Sequence, residues 1–250
     1  MAVSIKSARE IELMREAGKR LAHVHQELEA MIAPGISTWE IDAKGEKLIR
    51  DCGCIPNFLH YNGYPASICV SVNDEVVHGI PRKDRYLKEG DIVSLDAGLI
   101  YKGYHSDAAR THAVGKVSTE AQKLMDVTKQ SFFEGIKMAK EGQHLHDISR
   151  AIEEYVTPYG YGIVRDLVGH GIGTALHEDP QIPNYAQKRR GVRLQAGMTL
   201  AIEPMINAGT WQVRFLRDGW TVVTKDGSLS AHYENTILVT NGEPEILTLY

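Results

Sequence analysis

Residues 168–180 read Val-Gly-His-Gly-Ile-Gly-Thr-Ala-Leu-His-Glu-Asp-Pro, and they include the histidines His170 and His177. Four acidic residues elsewhere in the chain lie inside apolar, strand-like runs. They are Asp96 in residues 92–96, Asp107 in residues 105–109, Glu203 in residues 200–205 and Glu234 in residues 233–239. A carboxylate in a buried strand is costly unless it is paired or bound to a metal. The four carboxylates and His170 therefore predict a metal site.

Composition sets limits on the class of protein. The 250 residues are 43% hydrophobic and 24% charged, with a net charge of -4. Lysine and arginine are scattered along the chain, so their distribution indicates neither a specific nucleic-acid partner nor an anionic membrane. No apolar run approaches a membrane span, and the first residues lack a signal core. The three cysteines match neither a disulfide framework nor a zinc ribbon, so we expect reduced thiols and a cytoplasmic protein.

The same order of elements is predicted twice along the chain. Capping-box patterns at Ser7 and Ser37 indicate two helices, and strand-like runs follow them. In the second part, Ser118 precedes another helical stripe, residues 147–155 form a shorter helix, and strand-like runs follow again. This repetition predicts a duplicated helix-helix-strand unit.

The spacing of matching residues supports this duplication. A separation of 107 positions joins Gly35 to Gly142, Ile41 to Ile148, Gly90 to Gly197 and Asp96 to Glu203 (for example 142 − 35 and 203 − 96). Asp107 and Glu234 also correspond, because each lies eight residues before a glycine (115 − 107 and 242 − 234). We predict one catalytic domain over residues 1–250, with pseudo-symmetric halves of about 1–115 and 116–250 that bring the acids together where they meet.

The donor set indicates the chemistry. Asp96 and Asp107 flank the turn-like residues 101–104, so an antiparallel hairpin would place both side chains on one face. Four carboxylates and one imidazole are more ligands than the four that a closed structural zinc site holds. They favour two divalent ions, which can hold a hydroxide and polarise a carbonyl, as hydrolysis requires. Manganese, iron or cobalt suits these donors at least as well as zinc.

These residues carry a family resemblance over essentially the whole chain. The five donors in this order, with the glycines around His170 and the run Leu176–Pro180, resemble the methionine aminopeptidase branch of the "pita-bread" metallopeptidases. The resemblance implies an α+β protein of the pita-bread (creatinase/aminopeptidase) fold, with two pseudo-symmetric halves around a central antiparallel sheet. It also implies a dinuclear centre held by the five donors, with Glu203 taking the proton from the bridging water.

The resemblance further implies catalytic and substrate-binding positions. His78 and His177 match residues that contact the peptide, where they can hydrogen-bond the scissile amide and the developing oxyanion. The implied methionine pocket contains Phe58, Tyr61, Tyr64, Cys69 and Trp220 beside these two histidines. Aromatic faces and a thiol offer the polarizable surface that a thioether prefers. His105 and His232, each two residues before a carboxylate donor, are candidate outer groups of the centre.

The implied activity is removal of the initiator methionine from nascent proteins, with a small uncharged second residue and a free, deformylated amine. The gap of only 31 residues between Glu203 and Glu234 (234 − 203) favours the type I form, and we expect a monomer. Transient ribosome association is a further expectation, for which the basic run Lys188–Arg190 is the one feature in the sequence.

Two alternatives remain open on the sequence. An Xaa-Pro peptidase shares this core but carries an additional N-terminal domain, for which 250 residues leave no room. A non-catalytic binding protein on the same fold is expected to lose metal ligands, whereas all five are present here.

Overall fold

The computed structural model describes residues 3–249. It contains four α-helices: α1 (Ala8–Glu29), α2 (Thr38–Asp51), α3 (Thr119–Ile136) and α4 (Leu145–Val156). The predicted capping boxes are present, because the Ser7 and Ser37 hydroxyls each accept the backbone N–H three residues on, and that residue's carboxylate accepts the serine N–H. All four helices that the sequence predicts are present. Within residues 3–249, none of them is both long and apolar enough to cross a membrane.

Residues 3–249 also form fifteen β-strands. They are β1 (Ile55–Pro56), β2 (Ile68–Val72), β3 (Glu75–Val77), β4 (Ile92–Tyr101), β5 (Tyr104–Ala113), β6 (Gly162–Ile163), β7 (Gly169–Gly171), β8 (Glu178–Ile182), β9 (Thr199–Ile202), β10 (Met205–Asn207), β11 (Val213–Phe215), β12 (Val222–Thr224), β13 (Ser230–His232), β14 (Glu234–Leu238) and β15 (Glu245–Ile246). Nine of them form the central sheet in the order β1-β4-β5-β14-β9-β7-β8, with β2 beside β4 and β15 beside β14. Its strand pairs are antiparallel, as predicted.

The predicted hairpin joins β4 to β5. Tyr101 pairs with Tyr104, and between them Lys102 and Gly103 have φ values of 49° and 86°. Both residues therefore lie in the left-handed region that a two-residue hairpin turn of this kind requires. The pair at Tyr101 and the nine that follow it fix the register of the hairpin, in which Asp96 pairs with Ala109 and Asp107 pairs with Gly98.

The 107-residue offset reappears in the backbone bonding. Gly35 N–H donates to Leu87 O at 2.8 Å, and Gly142 N–H donates to Leu194 O at 2.9 Å. The starts of α2 and α4 and the isolated bridges that precede them also differ by 107 positions. The two parts of the chain thus build their helix-to-strand connections in the same way.

Each helix pair packs on the strands of its own part of the sheet. Along β4 the odd positions, such as Leu95 and Ala97, are buried against α1 and α2. Along β9 the even positions Leu200 and Ile202 are buried against α3 and α4. Because strand side chains alternate, Asp96 lies on the face away from the helices.

One detail of the sequence interpretation is wrong. The apolar run around Glu203 predicts a continuous strand, but β9 ends at Ile202 and β10 begins at Met205. Pro204 follows Glu203 and has no N–H to donate to a neighbouring strand, so the ladder is interrupted here. Glu203 therefore lies in a break between two strands.

Candidate metal centre

Three of the four carboxylates share one row across the sheet. Asp96 of β4 pairs with Ala109 of β5, and Ala109 pairs with Glu234 of β14. Extending the register of β9 and β14 by one residue places Glu203 next to Glu234. Cross-strand partners project from the same face of a sheet, so Asp96, Glu203 and Glu234 point to the same side.

Asp107 and His170 occupy the next row on that face. Asp107 pairs with Gly98, two residues beyond Asp96, and His170 pairs with Ala201, two residues before Glu203. Residues two apart on a strand share a face. The predicted convergence of the five side chains is present, and the sheet register explains it.

His170 is oriented towards the carboxylates. Its Nδ1 donates to the carbonyl of Gly171 at 2.8 Å, which leaves the lone pair on Nε2. That Nε2 lies 3.9 Å from Asp107 Oδ2 and 3.7 Å from Glu203 Oε1. Burial lowers the pKa of His170 to about 3, so the ring is neutral and able to bind a metal.

The four buried carboxylates are unfavourable as charged groups unless a cation lies among them. Burial raises the pKa of Asp96 to about 7, and burial together with the neighbouring carboxylates raises those of Asp107 and Glu234 well above their usual range. Burial, and after it the neighbouring Asp96, also raises the pKa of Glu203 well above its usual range. Within residues 3–249, Oδ1 of Asp96, Oδ1 of Asp107 and Oε1 of Glu234 have no hydrogen-bond partner. Oxygen-rich, buried and unsatisfied donors fit divalent metal ions.

Two groups of three residues have donor atoms within 4.8 Å of one another. The first is Asp107, His170 and Glu234, and the second is Glu203, His232 and Glu234. His232 therefore lies among the donor atoms themselves, closer to the centre than the outer position predicted for it. His105, the other candidate outer group, has Nδ1 3.4 Å from the Asn57 amide instead.

One cavity of about 270 Å³ brings together all the predicted metal-binding, catalytic and substrate-pocket residues. Its lining consists of the donors Asp96, Asp107, His170, Glu203 and Glu234 and of Phe58, Tyr61, Tyr64, Cys69, His78, His177 and Trp220, with Asn62 and Leu176 in addition. The donors and the apolar residues thus line one common pocket.

The apolar part of the cavity is built from aromatic rings around a thiol. Tyr64 meets Trp220 edge-to-face with ring centroids 5.2 Å apart, and its hydroxyl donates to Gly79 O at 2.9 Å. Cys69 is buried beside them, and burial raises the pKa of its thiol, which is therefore uncharged.

The two predicted catalytic histidines lie beside this pocket and the donors. His177 Nδ1 is 2.8 Å from Tyr61 Oη, and its ring centroid is 4.3 Å from that of His170. His78 has a φ of 59°, an uncommon conformation for a residue with a side chain. Burial lowers the pKa of both rings, that of His78 to about 4, so each is a neutral hydrogen-bonding group near pH 7.

A buried cluster of carboxylates and imidazole beside a small apolar cavity defines a metal-dependent hydrolase. Comparison with known proteins gives the particular family. The model of metallopeptidase family M24 matches residues 12–241. A methionine aminopeptidase of Clostridium acetobutylicum is 53% identical, with 99% of each chain covered.

Solved structures agree with the sequence matches. The structure of a methionine aminopeptidase from Thermotoga maritima has a TM-score of 0.97 and 46% identity, with both chains fully covered. An Xaa-Pro dipeptidase from Bacillus anthracis has a TM-score of 0.78 and 26% identity, and only 61% of its chain is covered. The chain belongs to metallopeptidase family M24 and, within it, to the methionine aminopeptidases, which have the pita-bread fold and remove the N-terminal methionine.

Proposed function

We propose that Asp96, Asp107, His170, Glu203 and Glu234 hold two divalent ions, which are cobalt, manganese, iron or zinc. The proposal rests on the five donors that share one face of the sheet at the edge of an apolar cavity. When bound, two such ions supply an activated water and a Lewis acid for the scissile carbonyl. Their positive charge offsets the four carboxylates, which burial otherwise disfavours.

We propose that His78, His177 and Glu203 are the catalytic residues. The two neutral imidazoles bind and orient the scissile amide from the side of the cavity, and His177 is held there by Tyr61. Glu203 accepts a proton on a carboxylate oxygen and returns it to the leaving amine. Its burial, which favours the protonated carboxyl, supports this role.

The methionine side chain occupies the pocket formed by Phe58, Tyr61, Tyr64, Cys69 and Trp220. These aromatic faces and the uncharged thiol suit a polarizable thioether. The free amine of the substrate binds at the carboxylate side of the cavity, so a formylated amine loses this contact. The limited volume of about 270 Å³ favours a small, uncharged second residue.

The proposal extends to the setting in which the chain acts. Residues 1–250 form one catalytic domain with halves of about 1–115 and 116–250, and the protein is a cytoplasmic monomer that acts on nascent N-termini. Three free cysteines support a reducing compartment. The exposed run Lys188–Arg190 supports transient contact with the ribosome.

Peptide cleavage followed by mass spectrometry tests the proposed chemistry. The substrates are Met-Ala-Ser, formyl-Met-Ala-Ser, Met-Trp-Ser and Ala-Pro-Ser, each with chelator or with added Mn²⁺, Fe²⁺, Co²⁺ or Zn²⁺. We expect metal-dependent release of methionine from Met-Ala-Ser, slower release from Met-Trp-Ser, and none from the formylated peptide. The His170→Gln variant is the inactive control. Cleavage of formyl-Met-Ala-Ser contradicts the role of the free amine, and cleavage of Ala-Pro-Ser contradicts the proposed pocket.

A further inference from the structure

His232 is a buried imidazole close to the five proposed donors. It ends β13, and its side chain is 2% exposed. Neither ring nitrogen has a hydrogen-bond partner among residues 3–249. Burying polar atoms without partners is costly, and native structures rarely leave both nitrogens of a ring unsatisfied.

The Nε2 atom of this ring faces two carboxylates. It lies 3.7 Å from Glu203 Oε2 and 3.8 Å from Glu234 Oε2. Both distances exceed those of a hydrogen bond, for which about 3.2 Å is the upper limit. Two donor atoms that each lie about 2.1 Å from one metal ion are separated by about 3.0 to 4.2 Å. The spacing therefore matches ligands around a common ion.

His170 has the same relationship to its own neighbours. Its Nε2 is 3.7 Å from Glu203 Oε1, whereas His232 Nε2 is 3.7 Å from Glu203 Oε2. Glu203 thus lies between two imidazoles, one facing each oxygen. The two groups of donor atoms that converge here also share Glu234.

We propose that His232 is a sixth protein ligand of the metal centre and binds an ion through Nε2. The inference rests on the proposed dinuclear centre and adds a second imidazole to its five donors. The neutral ring supplies a lone pair without adding charge to the cluster. An imidazole favours zinc, iron and nickel more than manganese, so His232 also biases the choice of ion.

Nuclear magnetic resonance of the full-length protein loaded with two equivalents of ¹¹³Cd²⁺ tests this ligand directly. With ¹⁵N-labelled histidine, each ring bound to cadmium shows ¹¹³Cd–¹⁵N coupling. We expect two coupled rings in the wild type, one in His232→Gln and one in His170→Gln. The matched control is His105→Gln, because His105 precedes Asp107 by two residues as His232 precedes Glu234, yet lies against Asn57. This variant should retain both couplings.

Calorimetric titration of the metal-free proteins with Zn²⁺ gives a second readout. We expect His232→Gln to weaken Zn²⁺ binding by about 10- to 100-fold, and Mn²⁺ binding by less. A wild type with a single coupled ring, lost only in His170→Gln, overturns the role of His232 and leaves the centre standing. A wild type with no coupled ring overturns the proposed centre as well. Circular dichroism confirms that each variant is folded.

Discussion

Tyr61 Oη and His177 Nδ1 are 2.8 Å apart, which joins the short turn at residues 61–63 to the loop before β8. A hydroxyl that donates to Nδ1 fixes the neutral ring with its proton on Nε2. We infer that Tyr61 is the donor here, which leaves the Nε2–H of His177 available to a substrate oxygen in the cavity. In this arrangement Tyr61 sets the tautomer of His177, a proposed catalytic residue, as well as lining the pocket.

Removing this hydroxyl should lower turnover without affecting the metal. In Tyr61→Phe we expect kcat to fall by about 2- to 10-fold, the equivalent of one net hydrogen bond, with unchanged metal content. Steady-state cleavage of Met-Ala-Ser and elemental analysis measure the two quantities. Tyr86→Phe, which changes an exposed tyrosine, is the control. An unchanged kcat in Tyr61→Phe would show that the tautomer is fixed in another way.

Replacing His177 itself should separate chemistry from metal binding. His177→Ala removes the proposed donor to the developing oxyanion, so we expect kcat to fall by about 100- to 1,000-fold. The KM for Met-Ala-Ser should change less, because the lost contact strengthens in the transition state. Metal content is measured in parallel. A variant that no longer binds metal would place His177 among the ligands.

Metal removal should destabilise the protein through the buried carboxylates. Without ions, burial and the neighbouring carboxylates raise the pKa of Asp107, so at about pH 7 folding must either protonate this carboxyl or bury its charge. Asp107→Asn removes that cost and should raise the melting temperature in chelator. With added metal the order should reverse, since ions bound only by the folded state stabilise it by about 2.7 kcal/mol at 100 times Kd. Calorimetric scans with and without metal measure both effects. Asp126→Asn, at an exposed position on α3, is the control.

Much of this arrangement follows from local sequence patterns. Ser7 and Ser37 specify helix starts through contacts within four residues, and Lys102–Gly103 specifies the hairpin turn in the same way. The 107-residue offset then relates Asp96 to Glu203 without knowledge of the fold. Local chemistry and internal repetition together predict the convergence of the donors.

Other features depend on long-range packing. The approach of His232 to Glu203 depends on the pairing of β13 with β10, in which His232 lies opposite Met205. Its position two residues before Glu234 predicts that one neighbour but not Glu203. Lys6 is a second example. Lysines are rarely buried, and no pattern near Lys6 indicates a partner 172 residues away.

Lys6 forms an ion pair with the residue that follows His177. Its side chain is 4% exposed, and Nζ lies 2.7 Å from Glu178 Oε2, which also accepts the Ser4 hydroxyl at 2.7 Å. Burial alone would raise the pKa of Glu178, but these hydrogen bonds outweigh burial and lower it to about 2. The pair anchors the N-terminal segment to the loop that carries His177.

This lowered pKa predicts how stability depends on pH. A carboxyl whose pKa is depressed on folding contributes stability above its unfolded value of about 4.5, and that contribution is lost as the pH falls towards 2. Glu178→Gln should therefore unfold more easily than the wild type at pH 7, by about 1 to 2 kcal/mol for a partly exposed pair. The difference should narrow steadily below pH 4.5. Urea unfolding between pH 3 and 7 measures it, with Glu12→Gln as an exposed control. A difference that stays constant over this range would mean that Glu178 acts through its shape and not its charge.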